Sequence, residues 1–563
     1  MGALDRCFGA APPRHRGLVV EGAIALGGHI HGLLEFSGAT LSNLGGHALA
    51  ADGLRVERAA LFRRFRAEGE VRLPAGHIGG RLYLDTATLK NPGGRVLNAN
   101  RLTVGQDLYL RRGFTAEGEV DLRGTHIGGT IDFSGASLAN PSGSALDAGG
   151  LRVGQDVSCT EGFTAHGRVG LHSADIGGRL DFRGATLTNP EGDALLADAI
   201  SVHHSMFCFD GFTALGRVSV GGAHISGRLS FTSATLTNPD GLAMYADGLT
   251  VDQDMSCSDG FAAQGEVRMV GAHIGGTLDF DAAALTNPDG FALAAQRLTV
   301  DQDMSLREGF TAHGKVHLLL AHIGGQLNLF GATLTDLDLE VAQLGALWLR
   351  PAAPPSRVNL TNAKIGLLAD DQATWPKELR LDGLIYDALA ERPVLSASQR
   401  LGWLRRNPRG YSPQPYEQLA AVYRRSGREE DARRIAIAKQ QQRRRELSWP
   451  GRLWSLLLGA LVGHGYRTWY AAGWLLGWLA VGTLVYHHAY PTHMRPAMPD
   501  DQVPAFQPVI YALDVLLPVV DLDQQAYWIP QGTALWWTWA SILVGWILTT
   551  AVVAALTGLL QRD

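Results

Sequence analysis

The sequence has few cysteines and few charged residues for its length. Among 563 residues there are 4 cysteines, and Asp, Glu, Lys and Arg together make up 18%. The formal net charge of −5 gives no electrostatic basis for binding nucleic acid. The N-terminal segment, residues 1–17, has neither the apolar run of a signal peptide nor the Ser or Thr of a myristoylation signal. We therefore expect no secretory leader and no lipid at the N-terminus.

The sequence also lacks the motifs of common cofactors. It contains no C-x-x-C, no C-x-x-C-H for haem, and no G-x-G-x-x-G between a strand and a helix. Residues 309–316, GFTAHGKV, have the spacing of a phosphate-binding loop, but Val316 stands where a Mg²⁺-binding Ser or Thr is required. No cofactor and no catalytic residue is predicted.

Glycine, in contrast, is abundant, with 69 residues, and much of it belongs to an internal repeat. The GFTAxGxV stretch, with Ala in place of Thr in the fourth copy, recurs every 49 residues, beginning at Gly113, Gly162, Gly211, Gly260 and Gly309. The lysine-containing copy is therefore the fifth instance of a structural element. A repeat of fixed period is typical of a solenoid, in which each unit is stabilised by stacking on its neighbours.

Each 49-residue unit predicts two turns of a parallel β-helix. The pattern V-x-L-x-x-A-x-I-x-x-x-L-x-F alternates apolar and polar residues in short strands separated by glycine-containing corners. It occurs at Val120–Phe133 and again, 26 residues on, at Leu146–Cys159, so the turns have 26 and 23 residues. Weaker copies around residues 358–365 and 379–386 extend the β-helix domain over 18–390. The fold class is mainly β.

The repeat gives the cysteines and histidines a structural interpretation. Cys159, Cys208 and Cys257 are 49 residues apart and align with leucines of other units, which predicts small apolar core residues. The "HIGG" histidines would lie roughly 10 Å apart, too far to share a metal ion. We therefore predict no metal site. The histidines are His77, His126, His224, His273 and His322, with a shorter variant, HIHG, at His29.

Two other repeated elements are polar. The LTNP segments, at Asn189, Asn238 and Asn287, predict turns. Aspartates of the "GQD", "DQD" and "LDF" segments predict polar stripes, which are typical of a solvated face or a docking surface; paired carboxylates that cleave glycans are the alternative. These aspartates are Asp107, Asp156, Asp254 and Asp303, with Asp132, Asp181 and Asp279.

Residues 391–448 have a different composition, with good helix formers and almost no glycine. Leu419, Ala420, Tyr423, Gly427 and Ala432 have the spacing of one tetratricopeptide-type helical pair. One such pair cannot form a solenoid, so a cap or a partner-binding element is expected. A basic patch that would lie next to the membrane follows in the sequence, consisting of Arg443, Arg444, Arg445 and Arg452.

Residues 449–563 predict a membrane domain. Uncharged segments at about 469–490 and 534–560 are long enough for two transmembrane helices. The preceding arginines predict a plasma (inner) membrane location, with the β-helix and the C-terminus both cytoplasmic. Residues 503–520 between the spans predict an interfacial or re-entrant helix. In a pore, its neighbouring carboxylates Asp514, Asp521 and Asp523 would form a ring after oligomerisation.

The chain resembles a family of bacterial, often actinobacterial, membrane-anchored proteins with pentapeptide-like β-helix repeats. The resemblance rests on "GAHIGGxLxF" repeats and on tail segments such as PQPYEQLAAVYRRSGREEDARRIAIAKQ and VIYALDVLLPVVDL. Members are often labelled membrane-associated oxidoreductases, so the resemblance implies a redox activity that no motif in this sequence supports.

The sequence as a whole favours a membrane-anchored, non-catalytic scaffold with a protein partner or a second copy as its binding partner, besides membrane lipid. The first alternative is an oligomeric channel regulated by the β-helix. The second is an oxidoreductase, which rests on the family resemblance alone.

Overall fold

The computed structural model describes residues 17–390, 395–446, 469–498, 503–517 and 519–560. Within them the chain divides into two compact units, residues 1–418 and 419–563. The first unit contains a parallel β-solenoid of about 16 turns, which confirms the predicted parallel β-helix. Its strands form two sheets of 17 and 28 strands, in which all pairings are parallel.

Most turns contain one long strand and two strands of two residues each. Long strands of 11 and 7 residues alternate, which accounts for the alternation of 26- and 23-residue turns. The register shows the same alternation directly, because His77 pairs with Thr103 and Thr103 pairs with His126. In the last turns the two short strands merge into one.

The strands of the first sheet are Val19–Glu21, Ile24–Ala25, Thr40–Ala50, Arg66–Arg72, Thr88–Asn98, Thr115–Asp121, Ser137–Asp147, Thr164–Gly170, Thr186–Leu196, Thr213–Ser219, Thr235–Tyr245, Ala262–Arg268, Ala284–Ala294, Thr311–His317, Thr333–Asp338, Arg357–Asn359 and Glu378–Arg380. Those of the second sheet are His29–Ile30, Leu34–Glu35, Arg55–Val56, Ala60–Leu61, His77–Ile78, Leu82–Tyr83, Thr103–Val104, Leu108–Tyr109, His126–Ile127, Ile131–Asp132, Arg152–Val153, Val157–Ser158, Asp175–Ile176, Leu180–Asp181, Ser201–Val202, Met206–Phe207, His224–Ile225, Leu229–Ser230, Thr250–Val251, Met255–Ser256, His273–Ile274, Leu278–Asp279, Thr299–Val300, Met304–Ser305, His322–Asn328, Gln343–Leu349, Lys364–Asp370 and Ile385–Leu389.

The interior of the solenoid is a stack of apolar side chains in register. Val120, Ile127, Ile131 and Phe133 are buried, as the pattern predicts. Phenylalanines of successive turns meet edge to face, with ring centroids 6.0 Å apart for Phe133 and Phe163 and about the same for those that follow. Burial of these columns, at roughly 25 cal/mol per Å² of apolar surface, stabilises the stack.

The three cysteines lie in this interior and are free thiols. Cys159, Cys208 and Cys257 are each at most 1% exposed. Burial raises the pKa of all three thiols above the ordinary value, which keeps them protonated and unreactive. The prediction that they are core residues is confirmed; Cys7 lies outside the described residues.

The LTNP segments are not turns. They lie inside the 11-residue strands, where the pairing shifts register between Thr188 and Asp193. The amide of Asn189 donates a hydrogen bond to the Asp193 carbonyl oxygen at 2.8 Å, which closes an exposed bulge. The prediction of a turn was therefore wrong, because the same residue types that favour turns also stabilise a bulge.

Helices follow the solenoid. A 3₁₀ helix, Gln372–Thr374, lies between strands of the last turns, and the first unit ends with the helix α1, Ala397–Leu404, and the start of α2, Pro413–Arg425. Helix α2 lies on the last turn through Gln414 and Gln418, whose amides donate to the carbonyl oxygens of Leu384 and Tyr386 at 2.8 and 2.6 Å.

The second unit continues α2 and contains α3, Glu429–Glu446, and, among its described residues, four further helices. Leu419, Ala420, Tyr423 and Ala432 are buried, and Gly427 has a left-handed backbone between α2 and α3. The further helices are α4, Trp469–Ala489; α5, Pro508–Leu516; α6, Gln524–Tyr527; and α7, Thr533–Leu560. Two antiparallel strands, Met494–Pro496 and Trp528–Pro530, pair between them.

Helices α4 and α7 coincide with the two predicted spans, and α5 lies within the predicted interfacial segment 503–520. Among the described residues, no helix combines the length and the mean hydropathy needed to cross a membrane. The structure therefore supports these helices but not the transmembrane assignment.

Candidate functional site

The aspartates of the "GQD" and "DQD" segments accept hydrogen bonds at a corner of the solenoid. One oxygen of Asp107 accepts the backbone N–H of Thr130 in the next turn at 3.1 Å, and Asp303 accepts that of Gln326 at 2.8 Å. Asp156 and Asp254 repeat this contact. These N–H groups lie where the strand ladder is interrupted, and an unpaired buried N–H would cost about 1–3 kcal/mol. This stripe therefore has a structural role in each copy.

Two of the repeated histidines pair with acidic side chains of the following turn. His224 Nε2 lies 3.0 Å from Asp252 Oδ1, and His273 Nε2 lies 3.1 Å from Asp301 Oδ1. In one unit the two residue types are exchanged: Asp175 stands at the position of the repeated histidine, and His203 of the next turn contacts it at 2.9 Å. The equivalent histidines follow each other two turns apart, as predicted.

The "LDF" aspartates belong to an outward column on the sheet of short strands. The residues of this column, in register from turn to turn, are Asp132, Ser158, Asp181, Phe207, Ser230, Ser256, Asp279 and Ser305. A large Phe207 is therefore followed by two small serines before a carboxylate. The small serine side chains beside the large Phe207 leave a depression in the otherwise regular surface of this sheet.

The depression is a groove of about 460 Å³, which we call the Phe–Asp groove. Phe207 and Phe209, whose rings meet edge to face at 5.4 Å, form one side. Asp279 lies on the other side, and an ion pair between Arg228 and Asp254, with Nε and Oδ2 3.4 Å apart, lies at the groove. The full lining consists of Phe207, Phe209, Arg228, Leu229, Ser230, Thr232, Asp254, Met255, Ser256, Thr277 and Asp279.

Hydroxyl groups line the groove between its two sides. Ser230 Oγ lies 3.1 Å from Thr232 Oγ1, and Thr232 Oγ1 lies 2.9 Å from Ser256 Oγ. Ser256 Oγ is in turn 2.9 Å from Ser258 Oγ. A chain of hydroxyls can donate or accept as its protons rotate, so this surface can adapt to either kind of polar group.

The carboxylates of Asp279 and Asp281 have opposite environments although they are two residues apart. Asp281 accepts the Ser305 hydroxyl at 2.6 Å and the Arg307 guanidinium at 2.8 Å. Burial opposes ionisation of Asp281, but these donors outweigh it and lower its pKa. Asp279 is half-buried, has no cation within ion-pair distance among the described residues, and lies near Asp281 and Asp259. Burial, with these negative neighbours, raises the pKa of Asp279.

This contrast predicts stability changes of opposite sign. Because the folded-state pKa of Asp279 is raised, its ionisation destabilises the fold as pH rises through that value. Asp279→Asn is therefore expected to raise the melting temperature of the solenoid at pH 7, with the gain vanishing below about pH 4.

Asp281→Asn is expected to do the reverse. The lowered folded-state pKa of Asp281 contributes stability above the unfolded pKa, and this contribution is lost as pH falls through the folded value. Thermal unfolding followed by circular dichroism between pH 3 and pH 8 tests both variants. Equal shifts of the same sign at pH 7 would contradict the assignment of the two environments.

The stretch that resembles a phosphate-binding loop is part of the solenoid. Gly314 and Lys315 lie within the strand Thr311–His317, and the Lys315 ammonium lies 5.7 Å from the centroid of the Phe291 ring. The loop of a nucleotide site runs from a strand into a helix, which this segment does not do. The prediction that this stretch is one copy of the structural repeat is confirmed.

The three carboxylates suggested for a pore differ in their surroundings. Asp514 is buried, and its two oxygens accept the backbone N–H groups of Leu522 and Gln525, each at 2.8 Å. Asp521 and Asp523 are exposed, and Asp521 accepts the N–H of Asp523 at 2.9 Å. Asp514 thus fixes the segment that leads into α6 together with the first turn of that helix. The proposed role of Asp514 in a pore stays a prediction.

The basic patch is described only in part. Arg443, Arg444 and Arg445 lie in the last turn of α3, and Arg443 is exposed. Arg452 lies outside the described residues.

The sequence analysis did not predict the groove, and Phe207, Phe209 and the hydroxyl residues had no role assigned to them. The detectable signal was Phe207 in a column otherwise occupied by aspartate, serine and asparagine from Asp132 to Asn328.

The fold and the site define the class: the chain contains a β-solenoid repeat domain with side-chain ladders and a groove on its short-strand sheet. No family model matches it, and neither the curated proteins nor the solved structures contain a match.

Proposed function

We propose that the protein is a non-catalytic scaffold whose solenoid binds a protein partner at the Phe–Asp groove and whose second unit attaches it to a membrane. The carrying observation is the half-buried carboxylate of Asp279, which has no cation within ion-pair distance among the described residues, opposite the aromatic wall of Phe207 and Phe209. The other carboxylates of the column each pair with a cation. Asp132 pairs with Arg111 at 2.9 Å, and Asp181 pairs with Arg183 at 2.7 Å.

The groove suits a cationic side chain from the partner. A Lys or Arg side chain can lay its aliphatic or planar part against an aromatic ring and place its charge on a carboxylate. The solenoid already contains such an arrangement, because the Arg183 guanidinium lies 5.6 Å from the centroid of the Phe209 ring while it pairs with Asp181. A partner's basic residue would repeat this contact across the groove to Asp279.

Membrane attachment is supported by the surface of the second unit. Among the side chains that the structure describes in α4 and α7, seven large apolar ones are each more than half exposed: Trp474, Leu476, Leu484, Trp536, Trp539, Leu543 and Trp546. Polar groups instead face each other between the helices, where Tyr486 Oη lies 2.9 Å from Thr538 Oγ1 and Trp478 Nε1 donates to Ser541 Oγ at 3.1 Å. Apolar groups outside and hydrogen bonds inside are what a lipid environment favours.

Site-specific photocrosslinking of the full chain in cells tests the binding proposal. A benzophenone amino acid in place of Phe209 is expected to give one discrete adduct, whose mass tells a second copy from another protein. The same amino acid in place of Thr188, on the other sheet, is the control and is expected to give none.

Two substitutions then test the recognition chemistry. Asp279→Asn is expected to reduce the adduct at least fivefold although it stabilises the solenoid, whereas Asp181→Asn, whose carboxylate is already paired, should leave it unchanged. Equal adduct yields from the crosslinkers at Phe209 and at Thr188, or an adduct yield that Asp279→Asn does not change, would overturn the proposal.

A further inference from the structure

The first turns of the solenoid bring three metal-ligating side chains to one point. His29 Nε2 lies 3.1 Å from Glu57 Oε1, and His31 Nδ1 lies 2.9 Å from the same oxygen. The two imidazole rings are 4.2 Å apart between centroids. All three side chains are open to solvent, with His29 45%, His31 77% and Glu57 48% exposed.

The position of His31 is a specific departure from the repeat. In later units it corresponds to the third residue of HIGG or its variant, namely Gly79, Gly128, Gly177, Ser226, Gly275 and Gly324. A Cβ built at Gly79 would overlap the carbonyl oxygen of Glu57 in the turn before it. Among the described residues, the strand His29–Ile30 pairs on one side only, with Arg55–Val56, so no earlier turn crowds His31.

Glu57 is also placed by the register. It follows Val56 in the turn after His29 and His31, at the position that Asp252 and Asp301 have relative to His224 and His273. Those later pairs each provide one imidazole and one carboxylate. Only at the first turn does a second imidazole join, and within the described part of the chain this is the group of three whose ligand atoms all lie within 4.8 Å of one another.

We propose that His29, His31 and Glu57 bind a divalent transition-metal ion of the Zn²⁺ class. Zn²⁺ accepts imidazole nitrogen and carboxylate oxygen at ~2.0–2.2 Å, and tetrahedral ligands at that distance are about 3.4 Å apart. The distances from the two histidine nitrogens to Glu57 Oε1 are close to this ligand-to-ligand distance. Solvent provides the fourth ligand. Arg55, which is exposed, lies in register with His29 on the neighbouring strand.

The ion would join the first two turns of the solenoid. Each imidazole would donate a nitrogen lone pair to the ion, so binding releases any proton held on that nitrogen. The site is independent of the Phe–Asp groove and of membrane attachment.

The test uses the full chain in detergent, purified without a polyhistidine tag. Zn²⁺ binding is measured by competition with a chromophoric chelator, and Co²⁺ gives the visible spectrum of the coordinated ion. His31→Gly restores the residue of the other units and should preserve the fold, while Glu57→Gln removes the carboxylate and His273→Ala is the matched control. Circular dichroism confirms the fold of each variant.

The wild-type protein and His273→Ala are expected to bind one equivalent with the same affinity, and both other variants to lose at least tenfold. In Co²⁺ the tetrahedral absorption should disappear in His31→Gly. An affinity and stoichiometry for His31→Gly equal to those of the wild type, or no Zn²⁺ binding by the wild type at pH 7.5, would overturn the proposal.

Discussion

Replacing Gly118 with alanine is expected to destabilise the solenoid by about 3 kcal/mol or more. Gly118 belongs to a column of six glycines within the long strands, with φ between +112° and +137°. A Cβ at Gly118 would lie 2.6 Å from the Asn91 carbonyl oxygen and 2.7 Å from that of Gly94. These oxygens belong to the bulge of the preceding turn, so relief of the overlap must displace backbone. The column members are Gly69, Gly118, Gly167, Gly216, Gly265 and Gly314.

Gly113→Ala provides the control. Gly113 has a φ of +86° and no neighbour within 4 Å of a built Cβ, so the substitution has the left-handed strain without the overlap. A loss of about 1–2 kcal/mol is expected. Chemical denaturation followed by circular dichroism at 218 nm compares the two, and equal losses would contradict the stacking of the long strand on the preceding bulge.

Asp370→Asn is expected to cost about 3–5 kcal/mol and to release α1 from the last turns of the solenoid. The Asp370 carboxylate accepts both Arg400 Nη1 and Nη2 at 2.6 Å and Trp375 Nε1 at 2.7 Å. The side chains of Arg400 and Asp370 are only 4% and 2% exposed. The substitution removes the full negative charge that the buried Arg400 guanidinium faces at this contact, and solvent cannot replace it.

Hydrogen exchange of the α1 amides measures this release directly, and exchange at least a hundredfold faster is expected from a loss of 3 kcal/mol or more. Asp371→Asn is the matched control, because Asp371 only accepts the Ala373 N–H at 2.9 Å and asparagine caps a helix equally well. Protection of α1 that is the same in both variants would show that the buried pair does not hold the helix.

The solenoid could be predicted because its determinants are local and repeated. Val120, Ile127 and Ile131 alternate with polar residues in every copy, and the 49-residue period alone implies that equivalent residues stack. Burial of the cysteines followed from the same alignment. The bulge at Asn189 was mistaken for a turn because sequence shows residue preferences but not whether the strand resumes pairing in the same sheet.

The groove could not be predicted because it depends on differences between turns. Phe207 and Ser230 are 23 residues apart, and only the register shows that a large side chain stands beside a small one. The three-residue cluster at the first turn was missed for a related reason. The separation of the repeated histidines excludes a shared ion along the column, but not one held by His31 of the same turn and Glu57 of the next.

The position of the second unit relative to a membrane is the most direct test of the proposed anchored scaffold. Membrane vesicles carrying the full chain are washed with alkaline carbonate and then treated with trypsin, either right side out or inverted. We predict that the chain stays with the lipid and that cleavage in the basic segment around Arg443–Arg445 occurs only in inverted vesicles. Release of the chain by carbonate, or cleavage from the outer side, would contradict a membrane anchor with a cytoplasmic solenoid.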